Sequence, residues 1–179
     1  VVGGILFNKG IQGNCRLQHL TLRQAQGVGV EGQCSFTMKD VIVERCSGHG
    51  VVASGPTGVG RCINVEVRQC GNSGVAACNC GSMTLIGAKT TVHDNCTDGN
   101  KNTYMYGLAV WGNSSSTISL VSPLTKEIVS VDNANGTSNG REGNWGAYWG
   151  GNVNQIKTVT ITSLVNSSSS CFLFFVLLF

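Results

Sequence analysis

One phrase returns along this chain, and its return constrains the fold more than any other feature. The phrase is apolar-x-apolar, two polar residues, a small residue or Cys or Asn, a short link, then Gly and further apolar residues. It reads Leu20-Thr-Leu22-Arg-Gln-Ala25 to Gly27-Val28, then Val41-Ile-Val43-Glu-Arg-Cys46 to Gly50-Val51, then Val65-Glu-Val67-Arg-Gln-Cys70 to Gly74-Val75. A fourth copy runs from Thr90-Thr-Val92-His-Asp-Asn95 to Gly107-Leu108, and a looser fifth from Val129-Ser-Val131-Asp-Asn-Ala134 to Gly146-Ala147. These glycines stand 23, 24, 33 and 39 residues apart, which predicts a period near 24 with surface loops around 96–106 and 133–145.

Each copy alternates apolar and polar residues with period two, which is strand chemistry. Further short strands are predicted before the copies, at Arg16-Leu17-Gln18, Phe36-Thr-Met38, Met83-Thr-Leu85 and Ile118-Ser-Leu120, so each repeat holds about three. A single copy cannot bury its inward side chains. Copies stacked at the strand spacing of about 4.8 Å bury a continuous column of Leu, Val and Ile. Composition agrees, because 25 of 179 residues are Gly and only two are Pro, which favours tight turns over long helices. A leucine-rich repeat has a similar period but needs Leu-x-x-Leu-x-Leu-x-x-Asn, which never recurs here.

Coils of about 24 residues with small residues or Asn at the turn resemble the right-handed parallel β-helix, the pectate-lyase-like architecture. More narrowly, Val65-Glu-Val-Arg-Gln-Cys-Gly-Asn-Ser-Gly-Val75 and Thr84-Leu-Ile-Gly-Ala-Lys-Thr-Thr-Val92 resemble a group of uncharacterised right-handed β-helix repeat proteins of marine algae. The resemblance covers about residues 13 to 165, and it brings no activity with it. The expected fold is therefore all-β: a right-handed parallel β-helix solenoid of about five or six coils, each of three short strands, over residues 1–166. Residues 167–179, a Ser-rich linker and an apolar tail (Cys171 to Phe179), fall outside the repeat. A bilayer span takes about 20 apolar residues, so the tail touches a membrane only if it begins a truncated anchor. Location is left open, with the extracellular space or cell surface as candidates.

Stacking places equivalent residues in columns. After the inward Leu22, Val43, Val67, Val92 and Val131 come Arg23, Glu44, Arg68, His93 and Asp132, whose alternating charges would set the register of neighbouring strands. Two positions further on stand Ala25, Cys46, Cys70, Asn95 and Ala134, a corner suited to stacked small or amide side chains. Cys46 and Cys70 would lie one above the other with parallel Cβ vectors, which fits buried thiols better than a disulfide. Cys78-x-Cys80 lacks a second closely spaced Cys or His pair, so neither a metal nor another cofactor is expected. His19, His49 and His93 are read as polar surface residues. The sequons at Asn95, Asn113, Asn135 and Asn166 carry little information in so Asn- and Ser-rich a chain.

All three Trp and all three Tyr fall between residues 104 and 149. In the register above, Tyr106 and Trp145 precede the repeat glycine on adjacent coils and should point outward together with Tyr148; in the alternative reading Trp111 and Trp149 fill a widening core and the other rings pack under the two loops. Exposed aromatics beside Asn-rich loops suit sugar stacking or a protein contact. The expected function is a non-catalytic module that binds a glycan or another protein, or a structural role. Its alternative is a polysaccharide lyase or glycoside hydrolase using Asp94, Asp132, His93 and Arg68 on an outer face. The formal net charge of +3 excludes a strongly basic nucleic-acid binder.

Overall fold

The computed structural model describes residues 1–98, 104–112, 115–136 and 142–162. The expected boundary at 166 and the apolar tail lie outside them. In chain order the strands are β1 (Ile5–Phe7), β2 (Cys15–Arg23), β3 (Val30–Gly32), β4 (Ser35–Glu44), β5 (Val51–Ser54), β6 (Val59–Ile63), β7 (Glu66–Arg68) and β8 (Val75–Cys78). There follow β9 (Ser82–Ile86), β10 (Thr91–His93), β11 (Met105–Trp111), β12 (Thr117–Val121), the short helix α1 (Lys126–Val129), β13 (Ser130–Val131), β14 (Glu142–Tyr148) and β15 (Ile156–Val159). The protein is all-β with parallel sheets, since every pairing among these strands is parallel.

One sheet has the order β1-β3-β5-β8-β11-β14, and the other β13-β10-β7-β4-β6-β9-β12-β15 with β2 on β4. Strands β2 and β4 bend at His19 and Asp40, both at φ 52°, so the first half of β4 pairs with β6 and the second half with β7. Left-handed residues also mark two further corners. One column of them is Gln24, Arg45, Gln69, Asp94 and Asp132, and another is Gly55, Asn79, Gly112 and Trp149. Polar residues and glycine gather there because a left-handed backbone is least costly for Gly, Asn and Asp.

Between the sheets the inward columns meet. Leu22 lies opposite Val43, Val43 opposite Val67 and Val67 opposite Val92, all fully buried. Facing them, Val30, Val51, Val75 and Leu108 are likewise in register. The corner glycines allow the two columns to close on each other. A Cβ on Gly50 would meet a Val67 methyl and come within 2.6 Å of the Gly74 carbonyl oxygen.

Three expectations shift by one or two residues. Val30, not Val28, pairs with Val51, so the glycine aligned with Gly50 is Gly29 and not Gly27. On the last rung Val92 faces Ser130 and His93 faces Val131, so Val131 is outward and part-exposed instead of inward. Apolar alternation suggested Val131 as the core residue, but α1 already delivers Val129 into the core, fully buried. Trp145 pairs with Leu108, which puts Asn144, not Gly146, at the place of Gly107. Gly146 instead lies opposite Ala109, where the Tyr106 ring leaves no room for a Cβ.

The corner column changes accordingly, with Asn133 in place of Ala134 above Asn95. The Cys70 N–H donates to Asn95 Oδ1 at 3.1 Å, the Asn95 N–H to Asn133 Oδ1 at 3.0 Å, and the Asn133 N–H to Asn144 Oδ1 at 3.0 Å. Each buried amide thus satisfies a backbone donor of a neighbouring rung, a need that buried backbone must meet somewhere. Asn95 is fully buried in this ladder, which rules its side chain out as a glycan acceptor in the folded chain. Cys46 and Cys70 are free and buried, and their thiols donate to the carbonyls of Glu44 and Arg68.

Candidate functional site

The second half of β4, with β7 and β10, presents Glu44, Arg68 and His93 outward in one column and Glu66 beside it. Arg68 lies between two carboxylates. Its Nε and Nη2 donate to Glu44 Oε2 at 2.9 and 2.7 Å, and its Nη1 donates to Glu66 Oε1 at 2.7 Å. The same Glu66 oxygen lies 3.2 Å from His93 Nε2, and Asp94 Oδ2 lies 2.8 Å from His93 Nδ1. Hydrogen bonding from the Arg68 guanidinium holds the Glu44 carboxyl below the usual carboxylate range, outweighing the opposing effect of burial. Glu44 therefore stays ionised at neutral pH and cannot serve as a general acid.

Of the residues expected for a catalytic strip, the fold brings Arg68, His93 and Asp94 into one network. Asp132 stands one rung on at the same corner as Asp94 and, among the described residues, has no ion pair with the network. Glu66, which links Arg68 to His93, was not singled out from the sequence. Its signal was the Glu-x-Arg spacing, which puts two outward side chains on one face of a strand. Among the described residues, no three His, Cys, Asp or Glu side chains are grouped to hold a metal ion.

The aromatic residues gather on the outer face of the six-stranded sheet. There Val52, Ala76 and Ala109 form a floor of small side chains, and Tyr106, Trp111 and Tyr148 pack over it. Tyr148 is the hub. Its ring stacks on Trp111 at 5.1 Å and on Tyr104 at 5.8 Å, and meets Trp149 edge-on at 5.2 Å. Burial pushes the Tyr148 phenol above its ordinary range. Trp149 sits at a left-handed corner and is 76% exposed, with Tyr104 also exposed.

This corrects the expected exposures. Tyr106 faces out from its strand but is 8% exposed, because neighbouring rings cover it. Trp145 packs partly buried against the main core, with the Lys126 ammonium 5.5 Å over its ring. Trp149, which the alternative reading placed in the core, is the most open of the three tryptophans. His49, read as a surface residue, lies tilted against the Trp111 ring at 5.2 Å and accepts the Ser73 N–H through Nδ1 at 3.1 Å. Burial pulls its imidazole down to about 4. A cavity of about 470 Å³, lined by Val2, Gln24, Arg45 and Ser47 among others, opens elsewhere, at the N-terminal rungs of a corner.

The comparisons with known proteins add no relative. The chain matches no family model, no curated protein and no solved structure. The class that fold and site define is an all-β protein of parallel sheets, with a paired charged strip on one face and a partly open aromatic patch on another.

Proposed function

We propose that this chain is a right-handed parallel β-helix module of five or six coils that binds a glycan without catalysis, through Tyr104, Tyr148 and Trp149. The observation that carries the reading is the exposed Trp149 ring set against Tyr148, whose own ring is fixed from two further sides. Rings held in place lose little conformational freedom on binding, and their flat apolar faces suit the C–H faces of a sugar. The left-handed corners, the columns of buried Val and Leu, and the resemblance in the Val65–Val75 stretch support the β-helix assignment. The charged strip supports a non-catalytic role, because Arg68, Glu44, Glu66, His93 and Asp94 engage one another and leave no free acid–base pair.

A screen on an array of neutral glycans, followed by titration of the best ligand into Trp149→Ala and Tyr104→Ala, tests the proposal. Loss of roughly tenfold or more in affinity for Trp149→Ala is expected, as for an aromatic anchor worth over 1 kcal/mol. Unchanged affinity in both variants would remove the patch from consideration. A lyase or hydrolase would instead release new reducing or unsaturated ends from a polysaccharide, and lose that activity in His93→Ala.

A further inference from the structure

The nine-stranded sheet carries another outward surface, used by neither the charged strip nor the aromatic patch. Its middle column runs Arg16, Thr37, Arg61, Thr84, Ser119 and Lys157, each directly opposite the next on neighbouring strands. Beside it lie Ser35, Val59, Ser82 and Thr117 on one hand, and Lys39 opposite Ile63 on the other. Arg16, Lys39, Arg61 and Lys157 are all exposed. Among the described residues none of the four pairs with a carboxylate. No Asp or Glu occurs in residues 15–18, 35–39, 59–63, 82–86, 117–121 or 156–159, the segments that build this face. The nearest acidic residue along the chain, Asp40, stands at the corner within reach of His19 and Asn64.

We propose that this face binds an extended anionic glycan, one carrying sulfate or carboxylate groups, laid across the strands along the column. Six rungs at about 4.8 Å make a track of about 24 Å, with cations on the first, third and sixth. Guanidinium forks on Arg16 and Arg61 match the paired oxygens of sulfate or carboxylate. The hydroxyls between them match the hydroxyls of a sugar chain. A nucleic acid fits less well, because its strand presents a charge about every 3.4 Å, against gaps of about 10 and 14 Å between these cations. Its bases would also find no open aromatic ring to stack on in these segments, because Phe36, the one aromatic residue among them, is buried in the core. This proposal concerns a different face and ligand class from the aromatic patch, so a negative result with neutral glycans leaves it standing.

The test is binding of the full chain to dextran sulfate, with uncharged dextran, single-stranded oligo(dT) and phosphatidylserine vesicles run alongside. Wild type is expected to bind dextran sulfate but not dextran, with affinity falling as salt rises. The triple variant Arg16→Gln, Arg61→Gln, Lys157→Gln is expected to bind roughly tenfold or more weakly, from three exposed charge contacts. The charge-matched control Lys9→Gln, Arg23→Gln, Arg45→Gln is expected to keep at least half of the affinity if position matters and not total charge. All four side chains of the face point to solvent, and a circular dichroism spectrum like that of wild type verifies folding of each variant. Equal losses in both triple variants, no loss in the first, or binding to oligo(dT) or to the vesicles as tight as to dextran sulfate would each overturn the proposal.

Discussion

Early and late rungs build the same corner differently. At Ala25, Cys46 and Cys70 the inner corner is apolar or thiol: each thiol donates to a carbonyl of its own rung, and the two thiols lie against each other on adjacent rungs. At Asn95 and Asn133 the corner is amide, and each side chain reaches backbone on another rung: Asn95 Nδ2 lies 3.0 Å from the Val67 carbonyl, and Asn133 Nδ2 3.0 Å from the Val92 carbonyl. Burial holds the early rungs without regard to direction, whereas directional bonds fix the late ones. One column thus changes from packing to hydrogen bonding partway along, and losing a side chain should cost more on the late side.

Asn95→Leu breaks the late corner, because it leaves the Cys70 N–H and the Val67 and His93 carbonyls without the amide. A loss of about 4 kcal/mol by urea denaturation is expected, from several buried polar groups left unsatisfied at once. His49 sharpens the picture on the sheet opposite. Its folded value of about 4 lies below the ordinary 6.5, so its contribution is fully present above pH 6.5 and is lost as pH falls toward 4. That contribution is up to about 3 kcal/mol, and His49→Gln should flatten stability over this window when followed by thermal melts. Gly74→Ala places a Cβ within 2.9 Å of the Gly107 carbonyl oxygen and against a Val92 methyl. A loss of about 2 kcal/mol is expected in the same urea assay, from overpacking against backbone. Cys46→Ala, the early counterpart of Asn95→Leu, should cost only about 1 kcal/mol, the burial of one small apolar group.

The sequence made the inward valine column of the early rungs legible for the same reason, although on the first rung it chose Gly27 and Val28 where Gly29 and Val30 stand. Val43, Val67 and Val92 carry apolar identity on a period-two pattern, and all three took their expected places. Past residue 95 the pattern lost its hold. Ser130 is an inward residue without an apolar side chain, and Asn133 does by hydrogen bonding what Cys70 does by packing, so alternation alone chose Val131 and Ala134. The site was legible in part. Arg68 and His93 were found from their column and Asp94 from its place one residue beyond it, but Glu66 required knowing which diagonal Arg68 takes. The aromatic cluster was visible as composition. Which of its rings lie open was not, because that depends on Trp149 falling at a left-handed corner and on Gly146 yielding space to Tyr106.

The central claim is the register, and above all its slip on the late rungs. Interstrand nuclear Overhauser contacts in a uniformly labelled sample test it most directly. Backbone contacts are expected from Val43 to Val67 and from Val92 to Ser130, together with contacts from the Asn133 side-chain amide to the Asn95 N–H. Contacts from Val92 to Val131 in place of Ser130, or the absence of any between Val43 and Val67, would contradict it.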